Sequence, residues 1–301
     1  MKSKRPGLGY LAALGSAALV GLFTVLNKWL LRESLPPLTA GAWTYFAAGL
    51  ALLPFALHAG GLTFKRPLVV AGWLLAGSVI GPTLYFLGLQ LTSGEQGVLM
   101  INTEAVFTAL LAFVIFHEKV TINTVLASIA IIIGGIIMSW PAAGGTLLAG
   151  HTLGNLLIAV GYLGWATENN LGRLLGENIP SVTLVCFKAL VAAAVMASLA
   201  LLFKQPLAVP SRVVPGIVAS GALALGCSLA FFYMAMQHIG SARTGLVSST
   251  SIFWGTLAAI FLLKETLTAV IIAAGLLMIL GLAALAWESL KRQKEPQKTE
   301  A

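Results

Sequence analysis

The sequence predicts an all-α membrane protein, ten transmembrane helices arranged as two inverted five-helix repeats. Three observations predict it. The 301 residues are 58% hydrophobic and only 9% charged, with mean hydropathy +0.93. A soluble domain carries about 25% charged residues, and one globular core cannot bury so much apolar surface. The apolar residues form long continuous runs rather than alternating every second position, which selects helices over a barrel. Finally, the chain matches itself at an offset of 147 residues.

A span needs about 20 mostly apolar residues. Reading between charged or Gly/Pro breaks delimits ten. Span one is 8–30, behind Lys2, Lys4 and Arg5, and span two is 38–58, behind Pro36. Span three, 68–90, follows Lys65 and Arg66; span four is 95–116; span five, 122–140, follows Glu118 and Lys119. Span six is 152–172, span seven, 181–203, follows Pro180, and span eight is 211–236. Span nine is 242–263, and span ten, 267–287, follows Lys264 and Glu265. The first run is too long for a signal-peptide h-region and has no small-residue cleavage site, so it reads as a retained helix. The polar stretch from Lys291 to Ala301 reads as a disordered tail.

The net charge of +8 is a matter of placement, not of nucleic-acid binding. With the N-terminus inside, the inner side collects Lys2, Lys4, Arg5, Lys65, Arg66, Lys119, Arg173, Arg243, Lys291, Arg292, Lys294 and Lys298. The outer side collects Lys28, Arg32, Lys204, Arg212 and Lys264. This bias predicts cytoplasmic termini in an inner (plasma) membrane. Tyr10, Trp29, Trp140 and Trp287 suit interfacial positions near span ends. All ten acids are Glu, which excludes mechanisms that need an Asp. Cys186 and Cys227 lie within apolar runs and read as small core residues.

At the offset of 147, Gln90, Leu99, Thr103, Leu110, Ala112, Glu118, Thr121, Ala127, Ile132, Gly134 and Trp140 recur as Gln237, Leu246, Thr250, Leu257, Ala259, Glu265, Thr268, Ala274, Ile279, Gly281 and Trp287. The boundaries expected are 1–147 and 148–290 for the two repeats and 291–301 for the tail. Five spans per repeat is an odd number, so the halves must be inverted. An inverted repeat builds one central site between two gates, the architecture of alternating-access carriers.

An ionisable group inside a membrane is costly and is a functional candidate by default. Glu104 lies near the middle of span four, within Asn102-Thr103-Glu104 and about 13 Å along the helix from Glu95. It can bind a proton or a cationic substrate; a structural, hydrogen-bonded Glu is the alternative. Its twin Ser251 ends the run Ser248-Ser-Thr-Ser, whose hydroxyls can line a cavity or back-bond to their own helix. Trp254 follows Ser251, and Phe107 follows Glu104, at the same-face spacing of three. Glu168, Asn169 and Asn170 close span six and Lys188 lies in span seven. A Glu168–Lys188 pair reads as a structural ion pair or as a gate that breaks and reforms, with no contact between the two as the third reading. Lys28 is expected to snorkel. Tyr85 and Phe231-Phe232-Tyr233 are expected in the core, with a cavity wall as the alternative, and Glu118 and Glu265 read as helix-boundary or loop-ordering residues. Gly77/Gly81, Gly150/Gly154 and Gly172/Gly176 are spaced four apart for close helix packing.

The span endings Phe107-Thr-Ala-Leu-Leu-Ala-Phe-Val-Ile-Phe-His-Glu118 and Trp254-Gly-Thr-Leu-Ala-Ala-Ile-Phe-Leu-Leu-Lys-Glu265 resemble the drug/metabolite transporter superfamily, specifically its EamA-type ten-helix members. That family has a span-one Trp followed eight residues on by Lys, and a span-two Arg. Here Val20 precedes Lys28, while Trp165 precedes Arg173 and Lys188 stands for the Arg. The resemblance implies an efflux-type, lipid-embedded carrier of small metabolites or drugs, in a family whose members are often homodimers; no cofactor is expected.

No P-loop, no second His at the metalloprotease spacing after His117 and no Gly-x-Ser-x-Gly occur, so no enzyme is expected. The reading is a secondary transporter exporting small organic metabolites, proton-coupled through Glu104. Two alternatives stay open: an uncoupled facilitator or exchanger, and a non-transporting scaffold or sensor.

Overall fold

The structure, a computed structural model, describes residues 6–59, 61, 64, 66–117, 122–139, 151–172, 174, 175, 180–239, 244, 247, 248 and 250–294. Lys2, Lys4, Arg5, Lys65, Glu118, Lys119, Trp140, Gly150, Arg173, Gly176, Arg243 and Lys298 lie outside these residues, as does the tail beyond Lys294.

The described residues are helical and irregular, with helices in the order the apolar runs demand. They are α1 (Pro6–Arg32), α2 (Pro37–Ala59), α3 (Pro67–Leu91), α4 (Gly94–Phe116), α5 (Ile122–Ser139), α6 (His151–Gly172), α7 (Ser181–Leu202), α8 (Ser211–Met236), α9 (Ser251–Leu263) and α10 (Ala269–Lys294). Among the described residues, α1, α2, α3, α4, α7 and α8 are long and apolar enough to cross a membrane; α5, α9 and α10 contain shorter apolar stretches. Proline opens α2 and α3 at a position whose N–H has no helical partner in any case. One boundary differs from expectation: α10 runs on to Lys294, because the Leu- and Ala-rich helix continues through Glu288 and Lys291, both good helix formers.

Large apolar side chains face outward: Leu57 is 74% exposed, Leu68 87% and Leu202 72%. Such an exterior suits lipid, not water. The chain is a multi-pass membrane protein. The interior is built on α3, whose Tyr85, Phe86 and Leu89 are fully buried. Packing pairs α2 with α7, α3 with α6, α1 with both α8 and α9, and α5 with α10. Backbones approach closely at Gly88 and Gly154, where a Cβ on either would meet the carbonyl of the other. Of the expected glycine seams, Gly77, Gly81 and Gly154 all belong to this α3–α6 contact.

Three backbone devices recur 147 residues apart. His117 and Lys264 both end their helices in the left-handed conformation, at φ 54° and 55°. The Thr103 and Thr250 hydroxyls both donate to a carbonyl three residues back, Met100 and Val247, at 2.7 Å. Both α3 and α8 contain π-helical turns, Leu75–Ile80 and Ala219–Cys227.

Candidate functional site

The site is built from four interruptions and neighbours of regular helix. In the π turn of α3, the Gly81 N–H bonds to the Ala76 carbonyl, five residues back. The same register would direct the Gly77 carbonyl to residue 82, but Pro82 has no N–H. The freed Gly77 carbonyl accepts from the Trp165 indole of α6 at 3.3 Å. Ser78 in the same turn donates to the Lys188 carbonyl of α7 at 3.2 Å. The π turn thus binds the ends of α6 and α7 to one point of α3.

Glu168 of α6 reaches the same point. It is 5% exposed, and its carboxylate accepts from Lys188 Nζ at 2.6 Å. The carboxyl lies over Gly77, where any Cβ would overlap it. The pair joins α6 to α7, with the Lys188 side chain 23% exposed and that of Glu168 6% exposed.

Helix α4 is broken at Met100 and Ile101. The Thr103 and Glu104 N–H groups bond three residues back, to Met100 and Ile101, so the second segment starts anew at Asn102. Glu104 falls in its first turn, where the helix dipole favours a negative charge. The Glu104 carboxylate accepts from the Asn169 amide of α6 at 2.8 Å. Asn170 donates to the Thr108 carbonyl, one turn beyond Glu104, at 3.2 Å. Glu104 also interacts electrostatically with Glu168 and Lys188. Glu104, Glu168, Asn169, Asn170 and Lys188 therefore form one polar cluster across α4, α6 and α7.

Aromatic rings border it. Trp165 lies 5.2 Å from Tyr85 and 5.1 Å from Tyr162 between ring centroids, and Tyr85 lies 6.1 Å from Tyr162. Tyr45 of α2 is within electrostatic reach of Glu104 and Glu168, and Tyr162 of Glu104. The Tyr85 hydroxyl donates to Thr24 of α1 at 2.8 Å.

The second half of the expected site lies elsewhere. Ser251 is buried on the α1 crossing, where its carbonyl and the Gly255 backbone leave no space for a Cβ on Gly21. Trp254 is 37% exposed and packs edge-on against Phe253. The Ser248 hydroxyl is buried without a partner among the described residues. Among the described residues, no hydrogen bond joins any of the three to Glu104. Phe107 packs half-buried against the core. Thr103 is spent on its own helix, and Asn102 is buried with both amide atoms unpartnered among the described residues.

Two further readings change. Lys28 does not snorkel: 8% exposed, it donates to the Leu89 and Gln90 carbonyls at 2.9 and 3.3 Å. The C-terminal carbonyls of α3 have no helical donor, so the ammonium completes them. Glu265 orders more than its own loop. Its carboxylate accepts from the Gly94 and Glu95 N–H groups at 3.0 and 2.8 Å, capping α4, and pairs with Arg32. Sequence reasoning missed Tyr45, Tyr162 and the buried Thr92–Gln96–Asn155 contacts. Trp165 sits three positions before Glu168, a same-face spacing that could have marked it.

The sequence profile of the EamA-like transporter family matches residues 7–140 and again 152–287. The chain belongs to the EamA-like transporter family. An uncharacterized transporter of Methanothermobacter thermautotrophicus is 25% identical over 296 residues, 93% of this chain and 86% of that protein. The uncharacterized transporter YetK of Bacillus subtilis is 24% identical over 186 residues, 60% of this chain and 56% of that one. A solved crystal structure shares 22% identity and superposes with TM-score 0.63, covering 98% of this chain and all of that one. That likeness extends to the fold.

Proposed function

We propose that this EamA-family chain is a secondary transporter that exports small organic solutes by alternating access, in exchange for protons. The observation that carries this is the broken helix α4. It sets Glu104 at a fresh helix start within an apolar bundle, beside the Glu168–Lys188 pair. Broken helices next to mid-membrane charges are how carriers build sites that open to either side.

The wider reading is ten spans in two inverted repeats, 1–147 and 148–290, with both termini cytoplasmic in the inner membrane. The backbone devices recurring at 147 residues and the two family matches support the duplication. The Lys/Arg bias supports the orientation. Both named relatives are called transporters. In the first half the acid is Glu104; the second half contributes Glu168, Asn169 and Lys188. The Glu168–Lys188 pair is a contact that can break as the halves rock.

The test uses purified protein in liposomes. A panel of metabolites is screened for thermal stabilisation, and hits are followed by counterflow and under an imposed pH gradient. Hits should be driven by the gradient in the wild type, while Glu104→Gln keeps counterflow and loses the pH drive. Flux that stays fully pH-driven in Glu104→Gln removes Glu104 as the coupling acid. Counterflow without any response to pH selects the uncoupled exchanger. Stabilising ligands that never cross the vesicle overturn transport.

A further inference from the structure

We propose that Lys28 and Glu265 are the two prongs of a gate clamp, which grips the turn between α3 and α4 and holds one face of the chain shut. The inference rests on the alternating-access reading.

The clamp joins two packed groups of helices. Helix α1 packs on α8 and α9, while α6 packs on α3 and α4. Lys28 belongs to α1 and Glu265 follows α9, so both prongs stand on the first group. The turn they grip, Thr92-Ser93 between Leu91 and Gly94, belongs to the second. Lys28 donates to the Leu89 and Gln90 carbonyls that end α3, at 2.9 and 3.3 Å. Glu265 accepts from the Gly94 and Glu95 N–H groups that begin α4, at 3.0 and 2.8 Å. A cation thus meets the negative end of one helix and an anion the positive end of the next, the favourable sense at both.

Local backbone geometry aims the acid. Lys264, in the left-handed conformation at φ 55°, stops α9. The Lys264 and Glu265 N–H groups both turn back to the Ala259 carbonyl, a stop that reverses the chain and brings Glu265 over α4. Arg32, one turn beyond Lys28, pairs with the carboxylate and donates to the Leu263 carbonyl, fixing the prong to its own group.

Two features make the contact one that opens. The groups it covers are helix ends, which water satisfies when a prong withdraws, and the Arg32 side chain is already 42% exposed. Beneath the clamp the two groups meet at a lightly bonded seam. Thr24 of α1 accepts one neutral hydrogen bond from Tyr85 of α3 at 2.8 Å, and a Cβ on Gly97 of α4 would meet the Thr24 methyl. Thr24 is 4% exposed and lies about 6 Å along α1 from Lys28, so a closed clamp keeps it dry.

The experiment reads that seam in the purified full chain in nanodiscs. Thr24→Cys is placed in a Cys186→Ala/Cys227→Ala background, and its reaction with iodoacetamide, a neutral reagent, is timed. With both prongs in place it should react at least a hundredfold slower than Arg212→Cys, whose native side chain is 67% exposed. Glu265→Gln and Lys28→Met should each speed the Thr24→Cys reaction at least fivefold, and Lys28→Arg, which keeps the cation, by less than twofold. Trp43→Phe removes the hydrogen bond to the Leu207 carbonyl, at the same face but outside the clamp, and should leave the rate within twofold. Where Glu265→Gln fails to fold, Lys28→Met and the rate with both prongs intact still decide. The proposal is overturned if Thr24→Cys reacts as fast as Arg212→Cys with both prongs in place, if neither prong variant changes the rate, or if Trp43→Phe speeds it equally. Faster labelling in the prong variants of a chain that moves no solute leaves the clamp standing and removes the transport reading.

Discussion

Gly77→Ala tests how the cluster is held. A methyl at residue 77 would occupy the volume of the Glu168 carboxyl. That carboxyl is the end of a flexible side chain, so it can swing aside without parting α3 from α6. What goes is the 2.6 Å bond to Lys188. Breaking a fully buried ion pair costs about 3–5 kcal/mol. The Lys188 side chain is 23% exposed and recovers part of its hydration, which lowers the expected cost to about 2 kcal/mol, as for a hydrogen bond between charged groups. The assay is a double-mutant cycle by equilibrium unfolding in mixed micelles. Glu168→Ala removes the three atoms that a methyl at residue 77 would strike first, so Gly77→Ala added to it should cost less than about 0.5 kcal/mol. The coupling between the two sites is then about 1.5 kcal/mol, well above the scatter of independent sites. If Gly77→Ala costs the same in both backgrounds, residue 77 does not act through Glu168.

Exchanging the charges of Arg32 and Glu265 should not restore stability or flux, because Glu265 also accepts the Gly94 and Glu95 N–H groups; full rescue by the swap would reduce Glu265 to a simple ion-pair partner. Lys28→Met leaves two α3 carbonyls unmet and should destabilise by about 1–3 kcal/mol, while Lys28→Arg, which keeps a cationic donor, should recover most of that loss; equal melting of Lys28→Met and wild type would contradict the capping role. Trp165→Phe removes the donor to Gly77 and should cost about 1 kcal/mol. On a Pro82→Ala background, where residue 82 regains an N–H for that carbonyl, the same change should cost less, and an unchanged penalty would argue against the π-turn account.

Much of the helix order was legible because a membrane asks a simple question of sequence: where are about 20 apolar residues in a row. What was not legible is which side of each helix meets which neighbour. A helix apolar all round carries no stripe to point inward. Lys28 illustrates the consequence. Its position near a span end suggested water as its partner, but the nearest polar groups are carbonyls of α3, 61 and 62 residues away in sequence. Glu265 is similar: a boundary residue, as read, but one that caps a helix 170 residues earlier. The π turn did leave a trace, since Pro82 withholds the N–H that a π register needs. That trace is interpretable only once Trp165 is seen to supply the replacement.

The site itself was half legible, and the missing half has a physical cause. Self-match put Ser251 at the position of Glu104, which suggested that the two face each other. The backbones around them do correspond, with Thr103 and Thr250 making the same 2.7 Å bond. Their surroundings do not. The α9 start is pressed on α1 at Gly21, so tightly that a Cβ there would strike the Ser251 carbonyl and the Gly255 backbone. The α4 start instead meets α6, where Asn169 presents an amide. The acid at one of the two matched positions is thus hydrogen-bonded across a helix seam, while the residue at the other packs against backbone.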